Sequence, residues 1–545
     1  MPTLPPESSH DRPAWATPSF AVSLLIALAI PLYFVRLGAA PLLDPDEPYY
    51  AVPALEMLKA HSWAVPIFRG EPWFDKPILY YWVVLAGYKL LGVEEAAARI
   101  GSALAATAGA IAMATLAPRA WRTGGAHVLG ALALATGIEY AFIARAAVTD
   151  MTLTCCLTLG FLFAARYLED RRSWDAAAAG AAFGLAVLTK GPVGALVPAL
   201  ALGAYGVWMR RRELIAPHAV LSAAAGFLAT AAPWYAYMAV AHRDLVVRVF
   251  LGEENLGRFL NPEHHQLPFF YVGVFLAGML PWSAALPWAL VGTAFDAWRR
   301  DEGRGTSPGP AYALFWGASI VALFSISASK LLTYVLPAFP PAAFLVARFW
   351  VDVLGPGSAR RRRAALGAAA LGAALSVLIA AALLVAARSP KYVVALPSLR
   401  VLAGVLVCGG VAGVIAVRAR RIGWFALSQS ALGLGLVIVG VLLVVPAIGT
   451  DDSTKALVSD LRARGLADRV AGAYRVTDVS LDFDLDRTVS RERDPAAWAR
   501  PTAAAPEGLW IVAPRDAEAE AEEAGLRAER VIVAGRRSVV RLTPR

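Results

Sequence analysis

Two short stretches, D-P-D-E-P-Y-Y at Asp44–Tyr50 and F-D-K-P-I-L-Y-Y-W at Phe74–Trp82, stand out from a chain that otherwise reads as apolar helix. The first places three carboxylates, Asp44, Asp46 and Glu47, within four residues, and the second sets Asp75 beside Lys76. Charge held next to hydrocarbon is costly, so a chain that keeps it beside a membrane span is expected to use it. A plain solvated loop is the bland alternative. Against it stand the interleaved prolines and aromatics, among them Pro45, Pro48, Tyr49, Tyr50, Trp73, Phe74 and Trp82. They describe a stiff loop at the membrane–water interface, where amphipathic rings settle. This loop is the expected active-site loop.

The chain of 545 residues is 58% hydrophobic and 17% charged, which excludes an ordinary soluble enzyme and indicates a polytopic membrane protein. Its net charge of +10 does not point to nucleic acid, because the arginines fall in short clusters between apolar runs. Cys155 and Cys156 adjoin within one apolar run and Cys408 lies in another, so no disulfide framework is indicated. The first apolar run, Phe20 to Leu37, is read as a retained anchor rather than a signal peptide, since its N-terminal flank is not basic.

Runs long enough, or nearly so, to span begin at about Phe20, Arg99, Ala126, Met151, Trp174, Pro192, His218, Pro268, Ala311, Leu331, Ala364, Leu399 and Gly423. Pro77–Gly92 is apolar but short and is taken not to cross. With that choice the clusters Arg119/Arg122, Arg171/Arg172, Arg210–Arg212, Arg299/Arg300/Arg304, Arg360–Arg363 and Arg418/Arg420/Arg421 all fall on one side, as cytoplasmic loops require. The expected architecture is an all-α polytopic membrane protein of thirteen spans. A cytoplasmic N-terminus (1–19) precedes a membrane domain (20–449) with an outer loop at 38–98, and a small extracytoplasmic α/β domain (450–545) follows. In that last domain Ser453–Arg464 and Asp516–Leu526 read as helices, Gly508–Val512 as a strand, and Arg530–Val533 with Ser538–Leu542 as a hairpin pair.

This topology gathers Asp150, Lys190, the segment Glu253–His265 and Lys330 at the outer helix ends with the loop. Asp150 as a helix cap and Lys330 as a snorkelling lysine are the dull readings. Yet of seven lysines in the chain, three (Lys76, Lys190, Lys330) fall on this face. Carboxylates, cations and a lipid-accessible rim suit transfer of a sugar from a polyprenyl phosphate embedded in the bilayer. That reaction needs a base for the acceptor's proton and cations for the departing phosphate. Neither a nucleotide nor nucleic acid is expected as a partner.

At these residues the chain resembles the membrane glycosyltransferases of the C type, the GT-C fold. Within them it is similar to the dolichyl-phosphate-mannose protein mannosyltransferase superfamily and its bacterial branch, the lipid A aminoarabinose transferases. The ordered motifs are Asp46-Glu47 followed by Tyr49-Tyr50-Ala51, the element Asp75–Trp82, a second aspartate at Asp150, E-N-L-G-R-F at Glu254–Phe259, H-H-Q-L-P-F-F-Y at His264–Tyr271, Pro281-Trp282, and S-K-L-L-T-Y-V-L-P at Ser329–Pro337.

The resemblance implies that Asp46 is the catalytic carboxylate, with Glu47 beside it and Asp150 as a second acidic residue. It implies that Lys76 contacts the lipid phosphate and that Arg258, Lys330 and Tyr334 line the same cavity. It further implies a zinc or other divalent ion held by Asp75, which stands where that branch has glutamate, and by either His264 or His265. Implied partners are a polyprenyl-phosphate-linked sugar (undecaprenyl-type), a glycan, lipid or protein acceptor, and membrane lipids. The expected location is the outer face of a bacterial plasma membrane. A transporter or flippase for a lipid-linked sugar is the rival from another class, since charges in a helical bundle also mark translocation paths.

Overall fold

The computed structural model describes residues 17–544, apart from 246–247, 250–251, 253–256, 258–265, 268, 300–307, 355–358, 390–394, 445–453 and 506. Each of the thirteen apolar runs is helical over most of its described length. Among the described residues, seven helices are long and apolar enough to cross a membrane unaided, and the protein is a multi-pass membrane protein. Leu79–Leu91, in the segment expected not to cross, has 13 residues. At about 1.5 Å per residue it rises about 20 Å, short of a hydrocarbon core of about 30 Å. The run beginning at Pro268 is broken into Phe270–Gly278, a 3-10 turn at Ser283–Ala285, and Leu286–Arg299.

Lipid-facing surfaces are recognisable from exposed apolar side chains. The helix Pro217–Ala241 leaves Leu221, Leu228 and Val240 largely uncovered, which bare water would penalise. Its other side lies close against Ser173–Lys190. A Cβ on Gly180 would stand 1.9 Å from the carbonyl oxygen of Ala223, and one on Gly226 would stand 2.0 Å from that of Ala177. Small residues thus bring the two backbones together, as they do between helices in lipid, where apolar burial alone gives little drive to associate. Gly191, at φ 76°, ends Ser173–Lys190 and leaves Lys190 as its last residue.

The loop between the first helix and Glu95–Leu116 is itself ordered. It contains the helix Pro48–Lys59, with proline at its first position, and a small hairpin, β1 (Ile67–Phe68) and β2 (Glu71–Pro72). The hairpin turn has Arg69 and Gly70 at positive φ. Glu56 closes it, accepting the N–H groups of both residues at 2.9 Å. Tyr49 stacks on Trp73, Trp82 donates to the carbonyl of Trp63 at 2.6 Å, and Trp234 of the bundle donates to that of Ala64 at 2.8 Å. The loop therefore lies against the end of the bundle.

The C-terminal domain holds a sheet of order β4-β3-β5-β7-β6, with β3 Val470–Tyr474, β4 Ser490–Glu492, β5 Leu509–Pro514, β6 Leu526–Ala534 and β7 Arg537–Pro544. β3 runs parallel to β4 and β5, and β7 lies antiparallel between β5 and β6. Both faces are covered: Val512 and Val539 pack with Leu457 and Leu461, while Ile511 and Val540 pack with Trp498 and Ala521. The expected terminal hairpin is present as β6–β7, and the expected helices are observed at Thr454–Ala463 and Ala517–Glu523. The strand β3 and the short helix Ser480–Asp484 were not anticipated.

The close approach at Gly180 yields a prediction. Gly180→Val must push the two helices apart and should cost about 1–3 kcal/mol, seen as a lowered thermal unfolding midpoint in detergent. Gly203→Val, whose Cβ meets nothing within 4 Å, should leave that midpoint unchanged.

Candidate active site

The loop is fixed to the bundle through one buried ion pair. Glu47 is 2% exposed, and Arg99, from Glu95–Leu116, is 3% exposed. Arg99 Nε donates to Glu47 Oε1 at 2.7 Å and Nη2 to Oε2 at 2.6 Å. The remaining donors of Arg99 reach the carbonyls of Leu37 (3.0 Å), Ala40 (2.7 Å) and Pro41 (2.7 Å). Glu47 also accepts the N–H of Leu43 at 2.9 Å and of Ala147 at 2.7 Å. The five guanidinium donors and both carboxylate oxygens are thus engaged, the condition under which a buried charge pair is tolerated.

Ala147 lies three residues before Asp150, so the same carboxylate joins the loop to the segment that delivers the second aspartate. Tyr80 repeats the tie: its hydroxyl lies 3.0 Å from Ser102 Oγ, which in turn points to the carbonyl of Val148.

Asp150 stands in the first turn of Thr149–Asp170 and Lys190 at the end of the antiparallel Ser173–Lys190. Each charge complements the dipole of its own helix, and the two meet at 2.6 Å. The ammonium of Lys190 also lies 4.6 Å from the ring centroid of Tyr334, a cation–π contact. Asp75 and Lys76 pair at 2.9 Å. Tyr50 lies near both carboxylates: its hydroxyl is pushed well above the ordinary phenol range, first by burial and then by the charges of Asp75 and Asp150.

An apolar cavity of about 760 Å³ lies between the helices Phe270–Gly278, Leu286–Arg299, Pro310–Ile326 and Phe339–Leu354. Tyr271, Phe275 and Leu276 line its wall on the Phe270–Gly278 side.

The structure thus brings together Asp75, Lys76, Asp150 and Tyr334 of the anticipated residues. Asp46 is exposed on the loop, immediately before Glu47. Lys330 is buried and donates to the carbonyl of Ser327 at 2.8 Å. Arg258, His264 and His265 lie outside the described residues.

Glu47, expected beside Asp46 as a catalytic group, has both oxygens engaged by Arg99 and two backbone donors. Arg99 was not anticipated as a functional residue. Its signal was an arginine at the start of an apolar run, which needs a carboxylate partner. Among the described residues no group of three or more His, Cys, Asp or Glu side chains is placed to hold a metal ion. Asp75 pairs with Lys76, and the histidines expected beside it lie outside the described residues.

A family model described as dolichyl-phosphate-mannose-protein mannosyltransferase matches residues 75–237. An undecaprenyl phosphate-alpha-4-amino-4-deoxy-L-arabinose arabinosyl transferase of Erwinia tasmaniensis is 34% identical over 372 residues, covering 66% of this chain and 65% of its own. The protein of the same description from Aeromonas salmonicida is 33% identical over 381 residues, covering 67% of each. Across six such relatives the chain spans between 58% and 67% of the relative's length. The crystal structure of ArnT from Cupriavidus metallidurans bound to undecaprenyl phosphate superposes with a TM-score of 0.75 at 22% identity, over 95% of this chain and 97% of that one.

The fold is therefore that of the GT-C membrane glycosyltransferases. The chain belongs to the undecaprenyl phosphate-aminoarabinose arabinosyl transferase branch of the dolichyl-phosphate-mannose-protein mannosyltransferase family.

Removing one partner of a saturated buried pair exposes what it holds. Arg99→Met should destabilise the protein by about 3–5 kcal/mol, because Glu47 is left buried and uncompensated. Combining it with Glu47→Leu should recover part of that loss in thermal unfolding.

Proposed function

We propose that the protein transfers a sugar from an undecaprenyl-type polyprenyl phosphate to an acceptor on the outer face of a bacterial plasma membrane. The acceptor class is lipid A, a protein or an envelope glycan. The observation that carries this reading is the Asp150–Lys190–Tyr334 cluster at the helix ends, in a bundle that also encloses a large apolar cavity. A polyprenyl chain suits an apolar cavity, and a phosphate suits the cations Lys76 and Lys190.

In this reading Asp46 takes the proton of the acceptor hydroxyl or amine as that atom attacks the anomeric carbon. The bond from the anomeric carbon to the phosphate oxygen breaks with inversion. Its electron pair passes to the phosphate, which leaves with the lipid. Lys76 stabilises the developing charge, with Arg258 assigned beside it by resemblance. Asp150, ion-paired to Lys190, is better suited to orienting groups than to accepting a proton. A zinc or other divalent ion would have Asp75 and His264 or His265 as its candidate ligands, and no step is assigned to it. A flippase is not favoured, because the charges stand at helix ends rather than at mid-span.

Purified protein should release sugar from a polyprenyl-phosphate sugar with no nucleotide sugar present. A positioned general base typically contributes about 10²–10⁴-fold, so Asp46→Asn should lower turnover by that order while donor binding persists. Lys76→Ala should raise the donor KM. Near-normal turnover in Asp46→Asn, or activity with a soluble nucleotide sugar alone, contradicts the assignment.

A further inference from the structure

The acid two residues before Asp46 is held by the other domain. Asp44 Oδ1 accepts the N–H groups of Val479 at 2.7 Å and Ser480 at 3.2 Å, and the hydroxyl of Ser480 donates to Oδ2. The rest of that segment also meets the loop. Asp486 pairs with Lys59 at 2.7 Å, Asp482 with Arg69 at 3.4 Å, and Phe483 stacks on Tyr88. Thr488 donates to Glu56 at 3.3 Å, and Lys455 pairs with Glu95.

Val479 and Phe483 belong to the same apolar core as Tyr50, Leu55 and Met57 of the Pro48–Lys59 helix. Asp482, which salt-bridges Arg69, is itself fixed within its domain by Arg491 at 2.9 Å. These contacts all fall on residues 44–95, the loop and its exit.

We propose that the Val479–Asp486 segment of the C-terminal domain is a positioning part of the active site, and that Asp44 is the positioning residue through which it fixes Asp46. Asp46 lies between two anchors drawn from different parts of the molecule. Asp44 is held by the C-terminal domain, and Glu47 is held by Arg99 and the segment before Asp150. Prolines at 45 and 48 stiffen the backbone between and beside them. The three clustered carboxylates divide into one reactive group and two fasteners. This proposal rests on Asp46 as the base, and it assigns the C-terminal domain a share in turnover without placing any of its groups on substrate.

The test uses full-length protein in detergent, a polyprenyl-phosphate sugar as donor, and a background in which exposed Cys408 is serine. Loss of the Asp44 contacts leaves the base present but misplaced, and small displacements of reacting groups are costly. Asp44→Ala should therefore lower kcat by about tenfold or more with little change in donor KM. Asp44→Asn keeps an oxygen acceptor for the two N–H groups and should retain most of the turnover.

Cysteines replacing Lys59 and Asp486, joined by a short bis-maleimide, re-fasten the domain to the loop. In Asp44→Ala this bridge should restore most of the lost turnover relative to the same unbridged protein. In Asp46→Asn it should restore none. Wild-type kcat in Asp44→Ala, or a bridge that leaves Asp44→Ala as slow as before, overturns the proposal. Equal loss in Asp44→Asn and Asp44→Ala, unrelieved by the bridge, assigns Asp44 to the chemistry instead. Normal turnover in Asp46→Asn removes only the identity of the base, and the Asp44 arms are read independently of it.

Discussion

A carboxylate and a guanidinium can remain inside a membrane-embedded protein only when their hydrogen-bonding capacity is taken up, and the Glu47–Arg99 pair meets that condition. The partners that satisfy it determine the site. Arg99 draws in the carbonyls that follow the first helix, at Leu37, Ala40 and Pro41, while Glu47 draws in the backbone of Ala147. Three stretches distant in sequence are thereby fixed together: the exit of the first helix, the start of Glu95–Leu116, and the approach to Asp150. The loop bearing Asp46 has little freedom left once this network closes.

Around that constraint the charges follow helix geometry. Asp150 begins a helix and Lys190 ends its antiparallel neighbour, so each sits where the backbone dipole favours it. Glycine contacts hold Ser173–Lys190 close against Pro217–Ala241. The apolar cavity lies among the helices Phe270–Gly278, Leu286–Arg299, Pro310–Ile326 and Phe339–Leu354.

Much of this was legible in the sequence, because span length and charge placement are local properties. The apolar runs, the short Leu79–Leu91 helix, the loop and the terminal hairpin could all be read from them. The division of labour among Asp44, Asp46 and Glu47 could not, since it depends on Arg99, 52 residues beyond Glu47, and on Val479 and Ser480, more than 400 residues beyond Asp44. Strand β3 was missed for a related reason. Its V-A-G-A-Y sequence reads as a poor strand, but a Cβ on Gly472 would stand 2.0 Å from the Trp498 ring, so the neighbouring tryptophan explains the glycine. Arg258, His264 and His265 lie in segments outside the described residues, and their roles rest on resemblance.

The central claim is that a lipid phosphate is received at the loop end of the bundle, beside Lys76 and Asp150, with its chain in the apolar cavity. A structure determined with undecaprenyl phosphate bound tests it most directly. The account predicts the phosphate within hydrogen-bonding reach of Lys76 Nζ, the prenyl chain along Tyr271 and Phe275, and the Glu47–Arg99 pair unchanged. A phosphate seated among the arginine clusters at the opposite end, with Lys76 still paired to Asp75 and the cavity empty, would contradict it.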